Sequence, residues 1–189
     1  MNEPRADRLA ARLAPGLPAA VAERLLASPR LSARTLALAR AVAGRAEAAL
    51  AALPPAEAAL ARAGAEVLER AAVLAGAAWH AGRIRGLLRA ADVAALEAEL
   101  GPDARRAALA HGDLCFPGAE GEPLAEAVRT DGAALLIAWR EALPDEVAEA
   151  LRLFWPLEEP PIPEGDDPRA AAGRKVIAGI APLALGHGA

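Results

Sequence analysis

A chain in which alanine fills 55 of 189 positions, threonine two and tyrosine none has little with which to build a sheet. Strands draw on β-branched and aromatic residues, whereas alanine is the strongest helix former. The composition therefore predicts an all-α protein. Its core must be assembled from Ala, Leu and Val. Small side chains let helix axes approach closely, but each buries little area, at about 25 cal/mol per Å² of apolar surface. Stability then comes from many contacts rather than a few anchors. The only aromatics are Trp79, Trp139, Trp155, Phe116 and Phe154, and their burial counts out of proportion to their number.

The stretch from Glu57 to Gly112 carries the clearest pattern. Arg62, Glu66, Glu69 and Arg70 recur on one helical face, while Leu60, Val67, Ala71, Leu74 and Ala78 occupy another. Past Trp79 the surface turns basic with Arg83, Arg85 and Arg89, and His80, Ile84, Leu87 and Leu88 share one stripe. Asp92 has the position of an N-cap, ahead of a short helix with Val93, Leu96 and Leu100 inward. Gly101 ends that helix, Pro102 opens another, and Gly112 closes it. The pattern predicts one long helix followed by two short ones.

Before this stretch, short helices are expected at residues 4–14 and 18–26, with a third from Ser32 to Leu53 that Gly44 weakens in its middle. Pro54-Pro55 marks a hinge. After Gly112, DLCFPGAEGEP reads as a loop and residues 123–130 as a short helix. Thr130-Asp131-Gly132 reads as a cap, after which a separate apolar helix buries Leu135, Leu136 and Trp139. Pro144-Asp145-Glu146 begins a helix with Val147, Leu151 and Phe154 inward, since acids favour the positive end of the helix dipole. The acidic, proline-rich segment from Pro156 to Pro168 reads as extended and mobile. A last helix is expected through Ile180, ahead of Pro182. The expected architecture is a compact bundle of about eight helices. Residues 1–53 form an N-terminal segment, 54–156 the helical core, and 157–189 the acidic loop with the final helix.

Charge is unevenly distributed. Residues 1–53 carry a net +4 and residues 113–167 a net −11, against −4 for the whole chain. No basic cluster is interleaved with aromatics, and the acidic part would repel phosphate backbones, so nucleic acid is not the expected partner. A basic protein surface would suit it better. The single cysteine excludes an internal disulfide and fits a reducing, cytoplasmic setting. No run of 18 apolar residues suggests membrane insertion, and no signal peptide is visible at the N-terminus.

Chemistry-bearing clusters are sparse. His111, Asp113 and Cys115 are types that bind zinc or support nucleophilic catalysis, but they span a helix end and a loop without a second cluster. A helix-terminal histidine and a half-buried cysteine are the expected reading. His80 reads as a core histidine, and His187 has no partner in the pattern. Glu97 and Glu99 point to different helix faces. No phosphate-binding or nucleophile-elbow motif is present. Catalytic residues, cofactor and metal are therefore each expected to be none, and the chain is not expected to be an enzyme.

The run VLAGAAWHAGRIRGLL, with His80 and the Ile84-Arg85 pair, the segment DVAALEAELG leading into RRAAL, and LRLFWP at Leu151 to Pro156 stand out within residues 57–156. In these features the stretch resembles the SctK (YscK) family of type III secretion accessory proteins. The resemblance implies a non-enzymatic cytosolic adaptor of the sorting platform, linking the inner-membrane ring protein SctD to the pod protein SctQ at the cytosolic face of that membrane. From charge alone, the expected partner-binding residues are Arg83, Arg85 and Arg89 on one face and Glu158, Glu159, Asp166 and Asp167 in the acidic segment. A helical transcriptional regulator or another helical interaction module is the alternative.

Overall fold

The structure is a computed structural model that describes residues 21, 24, 27–115, 122–155, 157 and 167–186. Among these it is all-α, with nine α-helices, one 3-10 turn and no strand. The helices are α1 (Pro29–Leu50), α2 (Pro55–Ala61), α3 (Ala65–Trp79), α4 (Ala81–Arg85) and α5 (Ala90–Leu100). They continue with α6 (Pro102–Ala110), the 3-10 turn Gly112–Leu114, α7 (Leu124–Glu141), α8 (Asp145–Phe154) and α9 (Pro168–Ala184). None of the described helices is long and apolar enough to cross a membrane. The expected helix at 4–14, that at 18–26 apart from Val21 and Arg24, which are helical, and nearly all of the acidic segment fall outside the described residues.

The chain groups into two compact units, Met1–Pro54 with Leu143–Pro156, and Pro55–Ala142 with Leu157–Ala189. In the first, α1 packs on α8. Ala39 and Ala46 of α1 meet Ala150, Leu153 and Phe154 of α8, with Val42 and Ala43 half-buried against them. The expected inward stripe of Val147, Leu151 and Phe154 is buried, and α8 starts behind Pro144 as its acids predict.

The second unit is built around α3. From Leu74 to Trp79 every α3 residue is buried, which is the condition of a central helix rather than a surface one. It packs against α6, α7 and α9. The α3–α7 crossing is a close one. A Cβ on Gly76 would overlap the Val128 carbonyl, and a Cβ on Gly132 would overlap the Ala72 carbonyl. Ala72 and Gly76, like Val128 and Gly132, are four residues apart and so lie on one helix face. The two backbones therefore interlock through reciprocal gaps. On α9, Gly173 lets a second helix approach α7 in the same way, since a Cβ there would sit 2.6 Å from that of Ala138 and 2.8 Å from the Trp139 nitrogen.

Several local expectations are corrected. The long helix expected from Glu57 is three, because Gly64 takes an extended backbone (φ −78°, ψ 176°) and His80 leaves the helical region (φ −93°, ψ 21°). Thr130-Asp131-Gly132 is no cap. α7 runs through it, because Gly132 serves the crossing with α3 and not a chain reversal. Asp92 lies inside the first turn of α5, which starts at Ala90 without a side-chain cap. Leu88 does not join the inward stripe of His80 and Ile84; it is 93% exposed. Pro182 does not stop the last helix. It lies in the final turn, exposed, and the carbonyl it cannot satisfy belongs to the equally exposed Ala178. Gly186, at φ 79°, follows the end of α9.

Candidate functional site

The three arginines singled out from the sequence sit at the junction of α4 and α5. α4 is a five-residue helix carrying Arg83 and Arg85, and Arg89 occupies the N-cap position of α5. Arg83 is half-buried and its Nη2 donates to the Glu122 carbonyl at 2.8 Å. Arg85 is exposed and donates to the Leu109 carbonyl at 2.8 Å. Leu109 lies in the last turn of α6, where the free carbonyls give a partial negative charge that favours a cation. Gly112 accommodates this, since a Cβ there would overlap the Arg85 guanidinium. Arg89 is exposed. Both bonded guanidiniums thus have neutral acceptors.

Of the acidic residues expected to bind partners, Glu158, Glu159 and Asp166 lie outside the described residues. Asp167 is engaged within the fold. It caps α9, accepting from the Arg169 backbone N–H at 2.8 Å, and both its oxygens accept from the Arg169 side chain at 2.5 to 3.0 Å. The paired Arg169 guanidinium holds the Asp167 carboxyl below the usual carboxylate range, outweighing the opposing effect of partial burial.

Arg169 also leads to a part-buried chain of polar groups that the sequence reading did not assemble. Its Nη1 donates to Asp131 Oδ1 at 2.7 Å, and Asp131 Oδ2 lies 2.7 Å from His80 Nε2. His80 is 2% exposed. The chain therefore ties the α3–α4 junction through mid-α7 to the first turn of α9. His80 does read correctly as a core histidine. The missed signal was on α7, where Asp131 shares a stripe with Val128 and Leu135, both fully buried. A carboxylate on such a stripe needs a partner, because burying an unpaired charge is costly. His80 on its own apolar stripe supplies half the answer, but the two are 51 residues apart.

A histidine held by a carboxylate is also how hydrolases orient a general base. Here the other ring nitrogen, Nδ1, is buried and meets no hydrogen-bonding partner among the described residues. As folded, the position a nucleophile would take is closed to solvent. The arrangement acts as a clamp on the start of α9.

A second polar link was also missed. Glu57 of α2 is 3% exposed, and its Oε2 accepts from the Trp139 indole N–H at 3.1 Å, with Arg174 Nε of α9 at 3.6 Å. It joins α2, α7 and α9.

His111, Asp113 and Cys115 do not converge. His111 is half-buried facing Gly179 of α9, Asp113 is exposed, and the Cys115 Sγ accepts from the Gly82 N–H at 3.2 Å. No group of three potential metal ligands forms among the described residues. Glu97 and Glu99 make separate contacts, with Arg105 and Arg129.

No family model, curated protein or solved structure matches the chain.

The Asp167–Arg169 pair gives a pH test. A carboxylate whose folded pKa is depressed adds stability that is present above its unfolded value, about 3.9. That stability is lost as pH falls through the depressed value. Asp167→Asn keeps a capping oxygen but removes the charge. Its urea midpoint at neutral pH is expected to drop by the equivalent of about 1 kcal/mol. The gap from wild type should close in strong acid. Identical midpoints at neutral pH would mean that the pair adds nothing.

Proposed function

We propose that this chain is a non-enzymatic cytosolic adaptor of a bacterial type III secretion system. It would join the inner-membrane ring protein SctD to the pod protein SctQ of the sorting platform, and so sit at the cytosolic face of the inner membrane through its partners. The resemblance of residues 57–156 to the SctK family supports this reading.

The structural observation that carries it is the state of the α4–α5 arginines. Arg83 and Arg85 hydrogen-bond backbone carbonyls, and Arg89 is exposed. Elsewhere among the described residues, Arg70 and Arg106 meet Asp103, Arg105 meets Glu97 and Arg129 meets Glu99. Positive charge therefore remains at the α4–α5 junction for a partner's acidic surface. Complementary charge of this kind sets encounter rate and partner choice.

The test is capture of each purified partner domain, SctD and SctQ from the same organism, at low and moderate salt. Reversing Arg83, Arg85 and Arg89 to Glu is expected to weaken one partner about tenfold or more and leave the other largely intact. Wild-type capture should itself fall with salt, as screening shortens to about 10 Å at 0.1 M. Arg89→Glu alone keeps the bonds of Arg83 and Arg85 and separates surface charge from folding. Neutralising Glu158, Glu159 and Asp166 in the same assay tests the acidic segment separately and is expected to have the smaller effect. Capture of neither partner by the wild type would sink the adaptor reading.

A further inference from the structure

We infer that the outward face of α1 is a docking surface for an anionic lipid bilayer, touching its headgroups without inserting. Such contact goes beyond the adaptor reading and does not rest on it, because it needs only this chain and lipid.

α1 carries four arginines, Arg30, Arg34, Arg40 and Arg45, against one acid, Glu47. Its buried side holds Ala39 and Ala46, which pack with Ala150, Leu153 and Phe154 of α8. Arg30, Arg34, Leu38, Ala41 and Arg45 stand at i, i+4, i+8, i+11 and i+15, which is one stripe of a helix, turned away from that side. All five are exposed, Leu38 at 49%. The stripe is about 22 Å long at 1.5 Å per residue. Glu47 does not interrupt it, being two residues past Arg45 and so about 200° further round the helix. Among the described residues, Arg30, Arg34 and Arg40 meet no carboxylate. Arg45 reaches only Glu149 of α8, at 3.9 Å, and its side chain stays 58% exposed. The other described acids of this unit, Asp145 and Glu146, begin α8, which packs on the buried side. The arginines of α6, by contrast, sit against Glu97 and Asp103.

A long face of one sign fits a plane of negative charge. The residues between the arginines include the exposed Ala33, Ala37 and Ala41, so the guanidiniums stand clear of the helix and can spread over several headgroups. Each guanidinium matches a phosphate with two hydrogen bonds, and a negative leaflet attracts every basic side chain near it. Leu38 adds an apolar side chain at the level where a surface helix meets the acyl boundary. Two other polyanions fit less well. Duplex DNA offers the same phosphates, but Leu38 in the middle of the face would meet them and gain nothing. An acidic helix of a protein needs an apolar groove for its own nonpolar face, and this stripe offers one leucine.

The test is co-sedimentation of the full chain with vesicles of phosphatidylcholine, either alone or with about 30% phosphatidylglycerol. Binding to the anionic vesicles is expected to be about tenfold or more tighter than to the neutral ones. It should vanish at about 0.5 M salt, where screening is short. Reversing Arg30, Arg34 and Arg45 together to Glu should abolish it, and changing all three to Gln should weaken it about tenfold or more. Leu38→Ala should weaken it about threefold. Arg34→Glu alone should weaken it about fivefold or more, whereas Lys175→Glu, the same charge change at an exposed position of α9, should have no effect. Every substituted side chain is exposed, and circular dichroism checks the fold. Equal binding to neutral vesicles, equal weakening by Lys175→Glu, or full binding by the triple Glu variant would overturn the proposal. So would tighter binding of duplex DNA or of a polyglutamate peptide at the same salt, which would make another polyanion the partner. Self-association lost with Arg34→Glu would overturn it too, by making a second copy the occupant. A chain that binds the vesicles but captures neither SctD nor SctQ would keep this surface and sink the adaptor reading. Capture of both without vesicle binding would do the reverse.

Discussion

Gly132→Ala should destabilise the protein severely, although alanine is favoured over glycine in a helix by about 1 kcal/mol. The added Cβ would overlap the carbonyl of Ala72, and the atom in its way is backbone, not a side chain that can rotate aside. α3 and α7 would have to separate along the crossing that buries both. Ordinary overpacking costs about 1–3 kcal/mol, and a fixed backbone neighbour places this substitution at or above that range. Gly76→Ala should behave alike, since it meets the Val128 carbonyl across the same crossing. Gly44 supplies the opposite sign. It lies within α1 with no atom within 4 Å of an added Cβ. Gly44→Ala should therefore raise stability by about 0.5–1 kcal/mol through helix preference alone. Urea unfolding followed by far-UV circular dichroism reads all three. If Gly132→Ala raised the midpoint as Gly44→Ala does, the interlocked crossing would be wrong.

That contrast also marks where the sequence stopped being informative. The helical class was legible because it depends on composition and period, which are local. The starts of α6 and α8 were legible for the same reason, since Pro102 and Pro144 with their following acids act within one turn. Glycine is where local reading failed. Gly64 breaks a helix, Gly132 continues one, and Gly44 does neither harm nor service to packing, yet all three have the same residue type. What separates Gly132 is the Ala72 carbonyl on another helix, 60 positions away in the chain and near only after folding. Pro182 failed likewise, because its cost depends on whether the abandoned carbonyl is exposed.

The site was legible to a different extent. The arginines of α4 were visible as a change of sign along one helix. Their acceptors were not, because Glu122 and Leu109 contribute backbone carbonyls, and any residue type offers one. The exposure of Leu88 was missed because helical period was extended past Arg85, where α4 has already ended. Asp131 and Asp167 looked like cap and loop. The first is instead the hinge of the His80–Asp131–Arg169 chain, and the second does cap α9 while pairing with Arg169. A polar residue on an apolar stripe announces that it has a partner but not which one. The pairing is decided by the close approach of α3, α7 and α9, which small side chains permit.

Trp139→Ala is expected to have the other large effect, because it removes packing and a hydrogen bond together. The side chain is fully buried, and truncating such an aromatic costs about 3–5 kcal/mol. Against a typical total of about 5–15 kcal/mol, that is a large share of the stability. Its indole N–H also donates to Glu57, whose carboxylate is 3% exposed. Trp139→Phe separates the contributions. Most of the ring volume stays, while the Glu57 oxygen keeps only Arg174 at 3.6 Å. Leaving a buried acceptor short of its donor costs about 1–3 kcal/mol, so the Phe variant should fall between wild type and Ala. Glu57→Gln retains an oxygen for the indole and should be milder than Glu57→Leu. In a double-mutant cycle, Trp139→Phe with Glu57→Leu should cost less than the two singles added, because the second change removes the group the first left unsatisfied. Strict additivity would mean that the indole–carboxylate bond contributes nothing and that Trp139 acts by packing alone. An unchanged midpoint for Trp139→Ala would mean that the α2–α7–α9 contact is not part of the core.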